Sequence, residues 1–120
     1  MILVNLILYL SFIYSSIYRR NIKKKYLLVG LIQDHHIIPR EFSNRLNYTN
    51  KFYSIDCSYN LIMLPNTYGK FFINTRRPIH DNGHVNYNKY IKTLLNKYSE
   101  EEIILFLRKQ LRNNKLKKLN

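Results

Sequence analysis

The first eighteen residues form an uncharged, apolar run that consists mostly of Ile, Leu, Val and Tyr. As a helix, residues 1–18 would be about 27 Å long, just short of the roughly 30 Å hydrocarbon core of a bilayer. The run ends at Arg19-Arg20, and Lys23-Lys24-Lys25 follows. A cleaved signal peptide carries its positive charges before the apolar run and ends in small residues. This segment has neither feature. The pattern leaves three interpretations open: a membrane anchor, a hydrophobic helix packed on the domain, or a start upstream of the true domain.

Two further apolar runs are short enough to be strands. Residues 26–38 are nearly continuously apolar, with Gly30 as a break that predicts a bulge or a close backbone approach. Residues 60–65 form the second run, and a proline ends each run. Residues 40–58, between them, are polar and aromatic. They predict a long connection with one helical turn near residues 41–46.

The last third of the chain has helical periodicity. Residues 66–78 read as a polar, basic connection, and turn residues precede a helix that is expected to begin near His84. Five apolar residues with helical spacing form its predicted face: Tyr87, Ile91, Leu94, Leu95 and Tyr98. Ser99 and Glu102 form a capping box that opens a second helix. The apolar stripe of that helix contains Ile103, Leu107 and Leu111.

The charge of the chain limits the classes of partner. The sequence has 120 residues, enough for one domain with a modest core, and 20 Lys and Arg against 7 Asp and Glu give a net charge of +13. This balance favours nucleic acid or an anionic membrane surface, although the codon bias of an AT-rich genome gives a similar composition. A single cysteine, Cys57, excludes an internal disulfide and is interpreted as a packing residue.

All four histidines lie in two close pairs, His35-His36 and His80 with His84. Successive side chains on a strand point to opposite faces, so one of His35 and His36 can hold a metal ion while the other acts as a base. His80 and His84, four residues apart across a turn into a helix, can converge on one ion. Up to three imidazole ligands leave positions for water or substrate, as a catalytic metal site requires. The alternative is that some of these histidines are surface residues.

Three segments occur in a characteristic order: His35-His36-Ile37-Ile38-Pro39, then residues 60–65, then residues 77–88. Over residues 31–91 they resemble the AHH nucleases of the HNH/endonuclease VII superfamily. The resemblance implies an α+β fold with a small ββα-metal nuclease core, a β-hairpin plus a helix around one metal. A C-terminal helix and an apolar N-terminal helix would be additions. Asp34 stands where the family name has alanine, and Val85 where proline is common.

The resemblance also implies a role for each residue. His36 matches the general base, and Asn60 matches the asparagine that holds the ββα turn and helps to orient the base. The metal ligands implied are His35, His80 and His84. A rival register makes Asp34 the ligand and His35 the base, but the Ile-Ile-Pro sequence directly after His36 favours the first register. Nitrogen ligands favour zinc, nickel or manganese over magnesium as the one divalent ion, whose identity stays open.

The predicted function is a metal-dependent endonuclease that hydrolyses phosphodiester bonds without a covalent intermediate. Four cationic side chains beside the motifs are expected to contact phosphates: Arg40, Lys70, Arg76 and Arg77. We expect DNA rather than RNA as the substrate. Relatives that act as toxin domains have an immunity protein, which would be a further partner here. Membrane attachment through residues 1–18 and delivery as a secreted toxin are the two predicted localisations.

The predicted division of the chain follows from these assignments. Residues 1–25 are the apolar segment with its basic flank, residues 26–98 the nuclease core, and residues 99–120 an amphipathic helix with a basic tail. A function from another class is the alternative: a membrane-anchored basic protein that binds nucleic acid or anionic lipid without catalysis. It explains the charge and the apolar start, but it gives no reason for the two histidine pairs.

Overall fold

The computed structural model describes residues 17–80 and 85–113. The described chain begins with a helix, α1, over residues 17–25. Two strands and three helices follow: β1 (Ile32–His36), β2 (Leu61–Pro65), α2 (Thr67–Phe72), α3 (Val85–Leu95) and α4 (Glu100–Arg112). Short 3-10 helices at Arg40–Arg45 and Ser58–Asn60 lie in the long connection between the strands. The predicted α+β class, with a hairpin and helices compatible with a ββα core, is confirmed.

The two strands form an antiparallel hairpin in which Ile32 pairs with Pro65 and His36 with Leu61. The strand predicted from residue 26 was too long, because residues 26–31 are turns and β1 begins at Ile32. Leu27 and Gly30 have φ values of 56° and 82°, which lie in the left-handed region and cannot continue a strand. Gly30 therefore marks a turn rather than a bulge.

Helix α2 replaces part of the connection predicted over residues 66–78. Asn66 caps this helix, since its Oδ1 accepts from the Gly69 N–H at 2.7 Å and its Nδ2 donates to the Gly30 carbonyl at 2.6 Å. A Cβ on Gly69 would lie 2.0 Å from the Leu31 carbonyl oxygen, so only glycine fits there. The turn before β1 and the start of α2 are thus held against each other.

Two ion pairs connect helix α1 to β1. Asp34 pairs with Arg19 at 3.3 Å and with Lys23 at 3.2 Å. Within the described ranges, 17–80 and 85–113, no helix has the length and apolar character needed to cross a bilayer. Most of the apolar start, residues 1–16, lies outside the described residues, so its role as an anchor stays a prediction.

The core collects side chains from the hairpin, the long connection and the last two helices. Its fully buried or nearly buried members are Ile37, Ile38, Phe42, Leu46, Phe52, Cys57, Ile62, Leu64, Tyr87, Ile91, Ile103, Ile104, Leu107 and Leu111. Ser99 caps α4 as predicted, since its hydroxyl accepts from the Glu102 N–H and also donates to the Glu102 carboxylate at 3.1 Å. On α3, Leu94 and Leu95 pack against the core as predicted. Tyr98 does not, because α3 ends at Leu95 and leaves that ring half exposed.

Arg108 of α4 connects the C-terminal helix to the start of β2. Its guanidinium donates to the Leu61 carbonyl at 3.2 Å and also to the Tyr59 carbonyl. These two carbonyls flank Asn60, so α4 supports the backbone at the point where the long connection enters the strand. The predicted boundaries at residues 25 and 98 stay predictions.

We expect Arg108→Ala to lower the free energy of unfolding by about 2 kcal/mol, because half-buried carbonyls lose a charged donor. Urea unfolding followed by circular dichroism measures this. Lys109→Ala is the matched control, since Lys109 is an exposed cation on the same helix. Equal stabilities of the two variants would contradict the supporting role of Arg108.

Candidate active site

Asn60 fixes the geometry of the chain around the hairpin. Its side chain is fully buried, with Oδ1 accepting from the Ile38 N–H at 2.8 Å. Its Nδ2 donates to the carbonyls of Ile38 and Ile55, both at 2.9 Å. The Asn60 carbonyl also accepts from the Ile37 N–H at 2.8 Å. The end of β1 and the segment before β2 are therefore joined through one residue.

His35 and His36 have different surroundings, as strand alternation predicts. His35 is 5% exposed, and its ring centroid lies 5.0 Å from that of His80 and 5.0 Å from that of Tyr87. The side chain of His36 is partly exposed and meets a carboxylate. Tyr87 also donates from its hydroxyl to the Ile37 carbonyl at 2.5 Å, which attaches α3 to the end of β1.

His80 reaches His35 because the backbone of the preceding loop is attached to β2. The His80 N–H donates to the Pro65 carbonyl at 2.7 Å. Its Nδ1 lies 2.8 Å from Oε1 of Gln33, two residues before His35 on the same strand. A hydrogen bond of this type orients a metal-binding imidazole and fixes which nitrogen carries the proton. The sequence reasoning missed Gln33, although it shares the strand face of His35.

Two of the three predicted metal ligands, His35 and His80, lie side by side. Two imidazoles, from His35 and His80, meet edge to face, and one of them has an orienting partner in Gln33. Imidazole nitrogens suit a transition metal such as zinc or nickel. Within the described part of the chain, no group of three His, Cys, Asp or Glu side chains is placed to hold an ion. The third predicted ligand, His84, lies outside the described residues.

Asp56 is the partner of His36, and the sequence reasoning did not identify it. Its Oδ1 lies 2.6 Å from Nε2 of His36 and accepts from Nε of Arg40 at 3.0 Å. Burial alone would raise the pKa of Asp56, but the hydrogen bonds from His36 and Arg40 lower it below its usual value. Asp56 is therefore ionised at neutral pH. In the sequence, the location of Asp56 in a polar connection was the only feature that could have suggested a functional role.

The described histidines and Arg40 line one open cleft. The cleft has a volume of about 240 Å³, and its lining residues are His35, His36, Pro39, Arg40, His80 and Asn88. Three of the four histidines thus share a single concave surface beside the hairpin. Asn88 of α3 donates to Glu41 at 2.5 Å, which closes the side of the cleft formed by the long connection.

The four predicted phosphate-binding cations have different contacts. Lys70 donates to the Thr75 and Arg77 carbonyls, both at 2.7 Å, and Arg77 donates to the Met63 carbonyl at 2.8 Å. These bonds hold the loop that leads to His80. Arg40 lines the cleft with its side chain 69% exposed, and Arg76 is exposed. Phosphate contact stays a prediction for all four.

A hairpin, a following helix and a histidine-lined cleft define a small α+β protein compatible with the ββα class of nuclease cores. A family model described as AHH, "a nuclease family of the HNH/ENDO VII superfamily with conserved AHH", matches residues 30–120. That match covers well over half of the chain, so the protein belongs to the AHH family. No curated protein and no solved structure matches it.

Family membership confirms the resemblance identified in the sequence and sets the class of activity. The family is a nuclease family, which makes nucleic acid the substrate class and hydrolysis the reaction. Nucleases of this superfamily typically use a divalent metal. Asp34-His35-His36 stands at the family motif, with aspartate in place of its alanine.

We expect Asn60→Ala to lower the free energy of unfolding by roughly 2–4 kcal/mol, because two buried backbone groups and a partly buried one lose their partner. Denaturant unfolding measures the change. Asn44→Ala is the control, since Asn44 is exposed in the 3-10 helix Arg40–Arg45. A loss no larger than that of the control would show that the amide of Asn60 does not hold the connection.

Proposed function

We propose that this protein is a metal-dependent endonuclease in which His36 is the general base. The observation that carries the proposal is the separation of the histidines within one cleft. His35 and His80 meet each other, while His36 meets a carboxylate. A nuclease site needs both a ligand set and a separate group that accepts a proton from water.

His35, His80 and His84 are proposed to hold the ion. When bound, the ion would stabilise negative charge on the phosphoryl oxygens and on the leaving oxygen. The buried position of His35 against His80 supports this ligand set over the rival register. In the rival register Asp34 would be the ligand, but its carboxylate pairs with Arg19 and Lys23 of α1.

His36 accepts a proton from the attacking water in this proposal. Its partial exposure and its place in the cleft lining support access by water and substrate. Asn60 acts through the backbone rather than on the substrate, since each of its side-chain bonds is to a main-chain group. By joining Ile38 to the segment before β2, it fixes the position of the strand end that carries His36.

Exposed cations would bind the phosphate backbone of the substrate. Arg40 is supported by its place in the cleft lining, and Arg76 by its exposure four residues before His80. Lys70 and Arg77 hold the intervening loop and would act on substrate only through it. A preference for DNA, a toxin role, an immunity partner and membrane attachment through residues 1–18 stay predictions.

We expect the purified protein to nick supercoiled plasmid in the presence of a divalent metal and to stop when a chelator is added. His36→Ala should lower the rate by about 100-fold or more, the usual contribution of a general base. Asn44→Ala is the folded control. Absence of nicking with every metal tried would reject the nuclease proposal, and full activity of His36→Ala would reject the assigned base.

Calorimetric titration of His80→Ala and His36→Ala with Zn²⁺ and Mn²⁺ separates the metal ligands from the base. His80→Ala should weaken binding by about 10-fold or more, because an imidazole ligand is lost. His36→Ala should bind the ion as the unmodified protein does. If the ion bound more weakly to His36→Ala and normally to His80→Ala, His36 would be the metal ligand and His80 would not.

We expect Arg76→Ala to weaken binding of a DNA duplex and to reduce the slope of log K against log salt by about 0.9, as for one phosphate contact. Arg77→Ala should instead lower the melting temperature, since Arg77 donates to the Met63 carbonyl. Fluorescence anisotropy at several salt concentrations, without metal, measures duplex binding by Arg76→Ala and its dependence on salt. An unchanged slope in Arg76→Ala would remove Arg76 from the interface.

A further inference from the structure

We propose that Asp56 is a positioning residue for the reaction, which holds the His36 imidazole in one tautomer so that Nδ1 is the nitrogen that accepts the proton. This inference rests on the proposed function, in which His36 is the base. It goes further by naming the group that orients the base and the ring atom that reacts. Neither the family match nor the histidine pattern identifies a carboxylate at residue 56.

The contact between the two side chains sets the tautomer. Oδ1 of Asp56 lies 2.6 Å from Nε2 of His36. An ionised carboxylate can only accept hydrogen bonds, so Nε2 must carry the proton in this pair. In a neutral imidazole the lone pair then lies on Nδ1. A proton from water can therefore be accepted at Nδ1 without a change in the bond to Asp56.

Arg40 keeps the carboxylate in its accepting form. Its Nε lies 3.0 Å and its Nη2 2.9 Å from the same Oδ1 that meets His36. A guanidinium stays protonated throughout the accessible pH range, so it favours the ionised form of Asp56. After His36 accepts a proton, the negative charge of Asp56 also stabilises the imidazolium that forms.

The backbone that carries Asp56 is fixed on both sides. The Asp56 N–H donates to the Ser54 hydroxyl and the Cys57 N–H to the Ser54 carbonyl, both at 3.1 Å. On the other side of the loop, Asn60 donates to the Ile55 carbonyl at 2.9 Å, and Cys57 is fully buried. The carboxylate is thus presented by an ordered turn. Such support limits the rotation of the His36 ring before substrate binds.

A purely structural role is the competing explanation, in which Asp56 only holds Arg40 and the long connection. The two explanations differ in what they require of His36. A structural carboxylate would affect folding and leave the imidazole tautomer unchanged. A positioning carboxylate fixes the proton on Nε2, and its loss should change the tautomer and the rate constant while substrate affinity is retained.

The test measures the His36 tautomer by long-range ¹H–¹⁵N NMR at alkaline pH in the full chain, beside steady-state nicking kinetics with metal. In the unmodified protein we expect His36 to be protonated at Nε2. Asp56→Ala should give a mixture of tautomers and lower kcat by about 10- to 100-fold, with KM changed by less than about 3-fold. Asp56→Glu, which restores the carboxylate, should recover part of kcat.

The controls make each result decisive. Glu101→Gln removes one negative charge from the first turn of α4, outside the cleft lining, and should behave as the unmodified protein. Asp56→Asn, with the same size and no charge, replaces Asp56→Ala if that variant does not fold. Its amide can either accept from Nε2 or donate to it. Asp56→Asn therefore no longer fixes the tautomer, and we expect a mixture of tautomers with a smaller loss of kcat.

Two groups of results would overturn the inference. A His36 tautomer that is unchanged in Asp56→Ala and Asp56→Asn would reject the positioning role of Asp56, and so would a kcat of either variant equal to that of the unmodified protein. If His36→Ala is inactive in the same assay, the proposed function is retained. Full activity in His36→Ala would reject the proposed base, and the inference with it. The tautomer is measured without metal or substrate, so it tests the role of Asp56 separately from the proposed nuclease function.

Discussion

The side chain of Asn60 is the constraint on which the rest of the site depends. Its amide bonds to both backbone groups of Ile38 and to the carbonyl of Ile55, with no exposure to solvent. The chain between β1 and β2 is too long to fix the hairpin by a tight turn, so its ends have to be joined by other means. One buried amide performs this task just beyond the end of β1, whose last residues line the cleft.

Two elements from later in the chain stabilise the same place. Arg108 of α4 donates to the carbonyls on either side of Asn60, and Tyr87 of α3 donates to the carbonyl of Ile37. Burial raises the pKa of Tyr87, so its hydroxyl stays protonated and remains a donor. A buried carbonyl without its donor costs free energy, and so the helices and the hairpin stabilise one another. The predicted C-terminal helix therefore contributes directly to the placement of the site.

Local features of the sequence were sufficient for much of the fold. The apolar run over residues 60–65, the spacing of Tyr87 and Ile91, and the capping box at Ser99 each depend on neighbours within one turn or one strand. The turn over residues 26–31 was missed because its apolar composition resembles a strand, while the backbone of Leu27 and Gly30 adopts positive φ. Helix α2 was missed although Asn66 is a standard N-cap residue.

Residues of the candidate site could be predicted only from strand alternation or from the family resemblance. Strand alternation separated His35 from His36, and the resemblance gave each a role and supplied Asn60. Neither could find Asp56, which is twenty residues from His36 and meets it through the folded connection. Gln33 likewise meets His80 across 47 residues of sequence. Polar contacts over such sequence separations leave no periodic signal.

Asp34 illustrates how this chain accommodates a departure from its family. Aspartate replaces alanine directly before His35, on the same strand face as His36. An unpaired carboxylate there would attract the imidazolium of a protonated His36 and compete with Asp56 for it. Arg19 and Lys23 of α1 both pair with Asp34 and offset its charge. Helix α1 precedes the residues of the family match, and it supplies both cations that pair with this aspartate.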